Sequence, residues 1–196
     1  MGSFWRYEEE FTASSTLPPS GVARYNAENL QNTYREEGGS IRTTAWCEGV
    51  AGYGIGEHVK MSVKTKAQLE GKDDEIYFMS LLIVNGYARD TTVWKNNSRV
   101  KILRLYVGDK HWCDLHLSDI IKPQIFNIPS IFPAKSGRKI PETGKFAKPL
   151  DYEYEWPNTP VYQTDLIFEI IEVYRGDKFD DTCITGIALN VQGGIY

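Results

Sequence analysis

The feature that most constrains the fold is a series of short apolar or alternating segments separated by turn signals. Val59, Met61 and Val63 alternate with polar residues, which is the pattern of a half-buried strand. Residues 76–84 form a short run that is almost entirely apolar and is typical of a buried strand. No convincing amphipathic helix of ten or more residues is found along the chain. The sequence therefore predicts an all-β protein.

Four further segments extend this pattern. Residues 99–107 and 110–117 are predicted to pair as a hairpin around Gly108-Asp109, and residues 164–174 and 183–191 are predicted to be the last two strands. Near the start, residues 23–34 favour a helical turn, which Glu36-Glu37-Gly38-Gly39 would end. Short strands with frequent turns indicate a β-sandwich or a jelly roll.

Composition limits the class of protein. The chain has 196 residues, 41% of them hydrophobic, which is enough for a sizeable core and excludes a disordered chain. The net charge of -4 disfavours a nucleic-acid partner, since such proteins usually carry a basic surface. No apolar run approaches the roughly 18 residues that a membrane-spanning helix needs.

The N-terminus carries no signal-peptide pattern. Met1-Gly2-Ser3 is typical of a cloning remnant. We therefore expect a natural leader to have been removed, and residues 1–11 to be a tag and an N-terminal extension. The domain proper is predicted to be a single unit spanning residues 12–196.

Three cysteines are present, Cys47, Cys113 and Cys183, and their spacing fits no zinc motif. Three single disulfides are possible, each leaving one thiol. Buried free thiols are the favoured interpretation. A Cys113–Cys183 disulfide is feasible if the two residues lie on neighbouring strands.

Signatures of catalysis and of metal binding are missing from the sequence. The glycines of Gly52-Tyr-Gly-Ile-Gly56 are followed by Glu57 and an alternating strand, whereas a dinucleotide fingerprint needs a third glycine and a helix. No GxSxG nucleophile motif and no HExxH motif occur. We predict no catalytic residue and no metal ligand. Asp180 and Asp181 are interpreted either as a turn cap or as a partner for Arg99 or a cation.

One loop combines the side chains that sugars require. Between residues 85 and 99 it carries Tyr87, Arg89 and Trp94, which offer ring faces for C–H groups and a guanidinium for hydroxyls. We predict these three residues as ligand contacts, and Asn97 and Arg99 as structural residues of the same loop.

A long proline-rich insertion is predicted at residues 129–163. It holds an aromatic and acidic run in which Tyr152, Tyr154 and Trp156 alternate with glutamates. Trp156 is predicted as a further ligand contact. The alternative interpretation is a flap that covers an open edge of the sandwich.

Three segments together resemble the discoidin-like, galactose-binding-like domains of secreted bacterial proteins. They read Ala45-Trp-Cys-Glu-Gly-Val-Ala-Gly-Tyr-Gly-Ile-Gly-Glu57, Asn85-Gly-Tyr with Asn97-Ser-Arg-Val-Lys101, and Val173-Tyr-Arg-Gly-Asp-Lys-Phe-Asp-Asp-Thr-Cys-Ile184. Together with Ala13-Ser-Ser-Thr16, their order is most similar to the NADase-type glycan-binding domain. The resemblance covers roughly residues 12–128 and 164–191.

This resemblance implies a jelly-roll β-sandwich of about eight strands that binds and does not catalyse. It also implies a carbohydrate ligand held by loops at one end, an extracytoplasmic location, and Trp46 in the core. Many such domains hold a structural calcium ion. Here Gln31-Asn32 and Thr185-Gly186-Ile187 stand where the family has acidic ligands, so no tight calcium site and no other cofactor is expected.

The leading prediction is a non-catalytic carbohydrate-binding module of an exported bacterial protein. The first alternative is a docking module that binds an adjacent domain or a protein partner through the 129–163 insertion. A glycoside-active enzyme with paired carboxylates is the less favoured alternative.

Overall fold

The fold is described from a computed structural model, for residues 4–33, 44–68, 77–140 and 160–192. The described residues form ten strands, two short α-helices and the 3₁₀ helix Ala27–Thr33. The strands are β1 Phe4–Ala13, β2 Trp46–Cys47, β3 His58–Gln68, β4 Tyr77–Asn85, β5 Ser98–Val107, β6 Lys110–His116, β7 Gln124–Ile131, β8 Arg138–Ile140, β9 Val161–Tyr174 and β10 Thr182–Gln192. The helices are α1 Thr91–Asn96 and α2 Pro133–Ser136.

The strands follow the order β1-β3-β9-β5-β10-β4-β7, with β2, β6 and β8 attached at the side. All neighbours are antiparallel except β5 and β10, which pair in parallel over two residues. Buried side chains from both halves of this order share one cluster, so the sheet folds over at the β5–β10 junction into a sandwich. The predicted all-β jelly roll is confirmed.

Eight of these strands are seven residues or longer, which matches the predicted number. The core is made where their inward faces meet. Trp46, Phe11 and Phe168 are among the largest side chains that are fully buried. The packing of Trp46 in the core is therefore confirmed. Each of these side chains contributes roughly 1.5–3 kcal/mol by leaving water.

Local sequence patterns correspond to strands in the structure. Val59, Met61 and Val63 are completely buried on one face of β3, as their alternation predicts. The predicted hairpin joins β5 to β6, and Gly108 turns it with a φ of 58°. The helical turn expected before Glu36 is the 3₁₀ helix.

Two elements differ from the expectations. β1 begins at Phe4, inside the segment expected to be a tag and extension, and it pairs with β3 along its whole length. The loop between residues 85 and 99 contains α1, whose first turn is capped by the Asp90 carboxylate. That carboxylate accepts a hydrogen bond from the amide of Val93, 2.8 Å away, which is the usual way an aspartate starts a helix.

The described parts of the 129–163 insertion join the sandwich. Residues 129–131 complete β7, and β8 pairs with β9 through Arg138 and Gln163. β3 pairs with the first residues of β9 on one side, and β8 pairs with residues 161–163 on the other side, where the pairing with β5 does not extend beyond Leu166. This part of the insertion protects a strand edge, as the flap interpretation expects. Within the described ranges, no helix has the length and apolar character to span a membrane.

Candidate functional site

Four loops meet at one end of the sandwich, which we call the loop end: residues 14–26, 48–57, 86–97 and 175–181. The strand registers place them there. The end of β1 lies beside the start of β3, the end of β9 beside the start of β5, and the starts of β5 and β10 beside each other. The three segments that carry the discoidin-like resemblance are thus brought together, although they are far apart in the sequence.

A disulfide links two of these segments. Cys47 on β2 lies opposite Cys183 on β10, with their Cα atoms 4.1 Å apart, and the two residues are joined. The favoured interpretation of free thiols was therefore wrong for this pair. Cys113 lies on β6 opposite Leu105, so the Cys113–Cys183 disulfide does not form. Local sequence could not show this, because the bonded residues are 136 positions apart.

Glu48 is fully buried beneath the loop end. Its carboxylate accepts hydrogen bonds from the amides of Val50, at 2.8 Å, and Thr182, at 3.1 Å. Burial raises the pKa of Glu48, while these two bonds oppose that change. Gly54 packs against it with a φ of 65°, and a Cβ there would lie 2.3 Å from the Glu48 side chain. The glycines of this loop therefore have the structural role expected of them.

Arg99 is the second buried group that organises the loop end, and it is only 6% exposed. It donates two hydrogen bonds to the Asp119 carboxylate, at 2.9 and 3.0 Å. Further bonds reach three backbone carbonyls, those of Lys95, Asn97 and Arg175. The predicted structural role of Arg99 is confirmed. Its partner is Asp119, so the interpretation of Asp180 and Asp181 as that partner was wrong.

Trp94 and Tyr87, two of the predicted ligand contacts, are each only 7% exposed. The indole of Trp94 donates to the carbonyl of Asn85 at 3.0 Å, and the Arg99 guanidinium lies 4.6 Å from its ring centre. Tyr87 packs beside the disulfide, and burial raises its pKa. Both residues chiefly support the loop and present little surface to a ligand.

Arg89, the third predicted contact, is well exposed. Its guanidinium lies 5.7 Å from the ring centre of Tyr87 and donates to the Asp90 carboxylate at 3.1 Å. Asp90 also caps α1, and the hydrogen bond from the Val93 amide is the largest cause that lowers its pKa. Tyr25 meets Tyr87 edge to face, with ring centres 6.1 Å apart. We call Tyr25, Tyr87, Arg89 and Asp90 the arginine patch.

Sequence reasoning missed two members of this patch. The helix-start pattern of Asp90 before Thr91-Thr92-Val93 was a usable signal for Asp90, since aspartate is a preferred N-cap. The sequence offers no comparable signal for Tyr25, because Tyr25 and its contact Tyr87 are 62 positions apart in the sequence. Trp156, the fourth predicted contact, lies outside the described residues.

In the two segments where the resemblance implies calcium ligands, the described side chains have partners within the protein. The side-chain amide of Gln31 donates a hydrogen bond to the carbonyl of Glu9. The Thr185 hydroxyl donates to the carbonyl of Gly86 and accepts from the amide of Ala88. Neither position offers a carboxylate, and calcium affinity depends on carboxylates. Throughout the described ranges, no group of three or more His, Cys, Asp or Glu side chains is placed to hold a metal ion. Weak or absent calcium binding stays a prediction.

The jelly roll, together with the three resemblance segments that meet at its loop end, defines a discoidin-like domain. The chain belongs to the family described as NAD glycohydrolase translocation F5/8 type C domain, whose model matches residues 6–190. The resemblance expected from the three segments is confirmed. A comparison with curated proteins finds no match.

Proposed function

We propose that the chain is a non-catalytic carbohydrate-binding module of an exported bacterial protein, and that the arginine patch contacts the glycan. One observation carries the proposal: an exposed guanidinium is held in place between an aromatic ring and a helix-capping carboxylate. A side chain that is already ordered loses little entropy when a ligand binds. The proposal rests on this arrangement at the loop end.

The chemistry of the patch suits a sugar. Arginine has five N–H donors, and Arg89 makes side-chain hydrogen bonds to Asp90 and to Tyr87. The donors that these two bonds leave can bond sugar hydroxyls, and the Asp90 carboxylate is an acceptor for hydroxyl hydrogens. Tyr25 is half-buried and offers an apolar edge to the C–H groups of a pyranose. Tyr87 and Trp94 serve as supports, and Trp156 stays a proposed contact.

The Cys47–Cys183 disulfide supports export, since disulfides persist in oxidising compartments and are rare in the cytosol. A single shallow sugar site is expected to bind weakly. Several copies of the domain, or an attached partner, would raise the effective affinity by avidity.

Docking to a protein or an adjacent domain is the second candidate function. It is favoured by exposed apolar side chains on three loops of the loop end: Val22 is 98% exposed, Ile55 58% and Phe179 41%. Exposed apolar surface gathered in one place is typical of an interaction site. Tyr152, Tyr154 and Trp156 of the 129–163 insertion, the surface first predicted for this role, lie outside the described residues.

A glycan array tests the carbohydrate proposal. Wild-type protein and the Arg89→Ala and Arg24→Ala variants are each screened with calcium and again with a chelator. Arg24 is a matched control, since it is another exposed arginine at the loop end, and within the described part of the chain it donates to the nearby carbonyls of Gly21 and Ala23. We expect one sugar class to bind with or without calcium, and Arg89→Ala to weaken that binding about tenfold or more.

Two outcomes would contradict the proposal. Equal loss of binding in Arg24→Ala would mean that general charge at the loop end, and not the arginine patch, attracts the glycan. A blank array from folded wild-type protein would favour docking, and the exposed apolar residues of the loop end would then be the first to mutate.

A further inference from the structure

A second concave surface lies on the outward face of strands β3, β9 and β5. It is a cleft of about 300 Å³. Its lining comes from three strands and one turn: His58, Tyr106, Gly108, Asp109, Ile167 and Glu169. None of these residues belongs to the arginine patch.

The strand registers explain how the cleft forms. His58 on β3 lies opposite Glu169 on β9, and Tyr106 on β5 lies opposite Ile167. Outward-pointing side chains on three adjacent strands therefore form one surface. The hydroxyl of Tyr106 donates to Glu169 Oε2 at 2.9 Å, which holds the phenol and the carboxylate in a defined arrangement.

The β5–β6 turn forms one wall of the cleft. The amide of Gly108 donates to the carbonyl of Asp165 at 2.8 Å, so the turn is anchored to β9. A Cβ on Gly108 would meet no atom within 4 Å, which shows that the space beside the turn is open. Asp109 follows at the exposed tip of the turn. The wall is therefore both ordered and accessible.

The lining has the chemistry of a small-ligand site. Tyr106 and Ile167 supply half-buried apolar surface, while Asp109, Glu169 and His58 supply a few polar groups around it. Pockets for small molecules combine apolar walls with a few polar groups, and start at about 300 Å³. The size fits a ligand of one or two sugar rings.

We propose that this cleft is a second ligand site, and that it binds a neutral or amino sugar ring. Tyr106 and Ile167 would pack on the C–H face of the ring. Asp109 and Glu169 would accept hydrogen bonds from its hydroxyl or ammonium groups. Because both carboxylates are negative, an acidic sugar would be repelled.

Neighbouring cations do not remove this preference. Arg104, opposite Glu169, donates two hydrogen bonds to the Asp114 carboxylate at 2.8 and 3.0 Å, so its charge is compensated locally. Two lysines lie near the cleft: Lys60 is opposite Ile167, and Lys110 follows Asp109, with its ammonium 5.4 Å from the centre of the Trp112 ring. The carboxylate residues Asp109 and Glu169 belong to the lining of the cleft, whereas neither lysine does.

The test is an NMR titration of the ¹⁵N-labelled domain with three probes: methyl N-acetylglucosaminide, glucosamine and glucuronic acid. We expect amide shifts at residues 106–109 and 167–169 with the first two sugars, and little or no shift there with glucuronic acid. Absence of shifts at these residues with all three sugars would overturn the proposal, and equal shifts with glucuronic acid would overturn the stated ligand class.

Variants separate this site from the arginine patch. Glu169→Gln keeps a side chain that can bond the Tyr106 hydroxyl but removes the charge, so we expect it to weaken glucosamine binding about tenfold. Glu172→Gln, on the same strand but paired with Lys101, is the matched control and should change nothing at the cleft. Arg89→Ala should leave the cleft shifts intact. Loss of those shifts in Arg89→Ala would show a single site and would overturn the second one.

Discussion

At the loop end, the buried polar groups have partners, whereas farther along the inner face of the sheet some do not. Arg99 is bonded to a carboxylate and three carbonyls, and Glu48 accepts two amide hydrogens. Among the described residues, the buried side-chain atoms that have no hydrogen-bond partner are Glu9 Oε2, Thr65 Oγ1 and Thr164 Oγ1.

The three residues lie in one region of the sheet, on neighbouring strands. Glu9 on β1 is opposite Val63 on β3, which is in turn opposite Thr164 on β9, and Thr65 is two residues beyond Val63. Buried polar groups without partners each cost about 1–3 kcal/mol. The domain thus provides partners for the buried polar groups that shape its loops and accepts a loss of stability elsewhere on the inner face.

The largest expected effect is the loss of Arg99. Arg99→Ala removes a buried cation and leaves three carbonyls and Asp119 without their donor, so we expect a loss of about 3–5 kcal/mol in the free energy of unfolding. Equilibrium urea unfolding measures it. Arg104→Ala is the control, because it breaks a more exposed pair with Asp114 and should cost much less. Similar losses in both variants would contradict the role of Arg99 at the loop end.

The next effect concerns the disulfide. The Cys47→Ala/Cys183→Ala double variant should lower the free energy of unfolding by about 2–4 kcal/mol, because the bond closes a long loop and restricts the unfolded chain. Cys113→Ala should have a smaller effect, since Cys113 is unbonded and only partly buried. A thiol count on denatured, unreduced wild type should give one. A count of three would show that the bond is not formed.

The smallest effect tests the unpartnered groups. Burial raises the pKa of Glu9 to about 7 from the ordinary value of 4.5. A carboxyl whose pKa is higher in the folded state binds its proton more tightly there, so stability is greatest below about pH 4.5 and is lost as pH rises through 7. Glu9→Gln should match wild type near pH 4.5 and exceed it by about 2–3 kcal/mol at pH 8.5, each pKa unit being about 1.4 kcal/mol.

Unfolding curves of Glu9→Gln across this pH range make the measurement. Glu10→Gln is the matched control, since Glu10 is the exposed neighbour on the same strand. It should run parallel to wild type at every pH. If the free energies of unfolding of Glu9→Gln and wild type differ by the same amount at every pH, Glu9 does not titrate in this range. Glu9 would then no longer count among the three unpartnered groups that distinguish this region from the loop end.

Strands with local patterns could be predicted from the sequence. The alternation of Val59, Met61 and Val63 with polar residues predicts the buried face of β3. The turn at Gly108 is predicted because this glycine lies between two strand-like segments. β1 could not be predicted in this way, because Glu9 lies on the same inward face as the buried Phe11 and breaks the alternation. A charged residue on the buried face is an exception that only the tertiary structure reveals.

The binding surfaces were less predictable than the fold. The local sequence around an aromatic residue in a polar loop does not distinguish an exposed side chain from a buried one. The 7% exposure of Trp94 could therefore not be predicted. The cleft was also invisible, since His58, Tyr106 and Glu169 come from three strands whose register is set by long-range pairing. Arg99, by contrast, was correctly predicted to be a structural residue, because an arginine in a loop can bond several backbone carbonyls.

The Cys47–Cys183 bond also has a mechanical consequence. A pulling force on the chain outside the bonded loop is carried by the disulfide, so residues 48–182, which lie between the two cysteines, are shielded from the force. Such a chain does not pass through a narrow pore as one extended thread while the bond is intact. It enters either as a doubled strand or after reduction, so the redox state of a single pair determines how this domain is threaded.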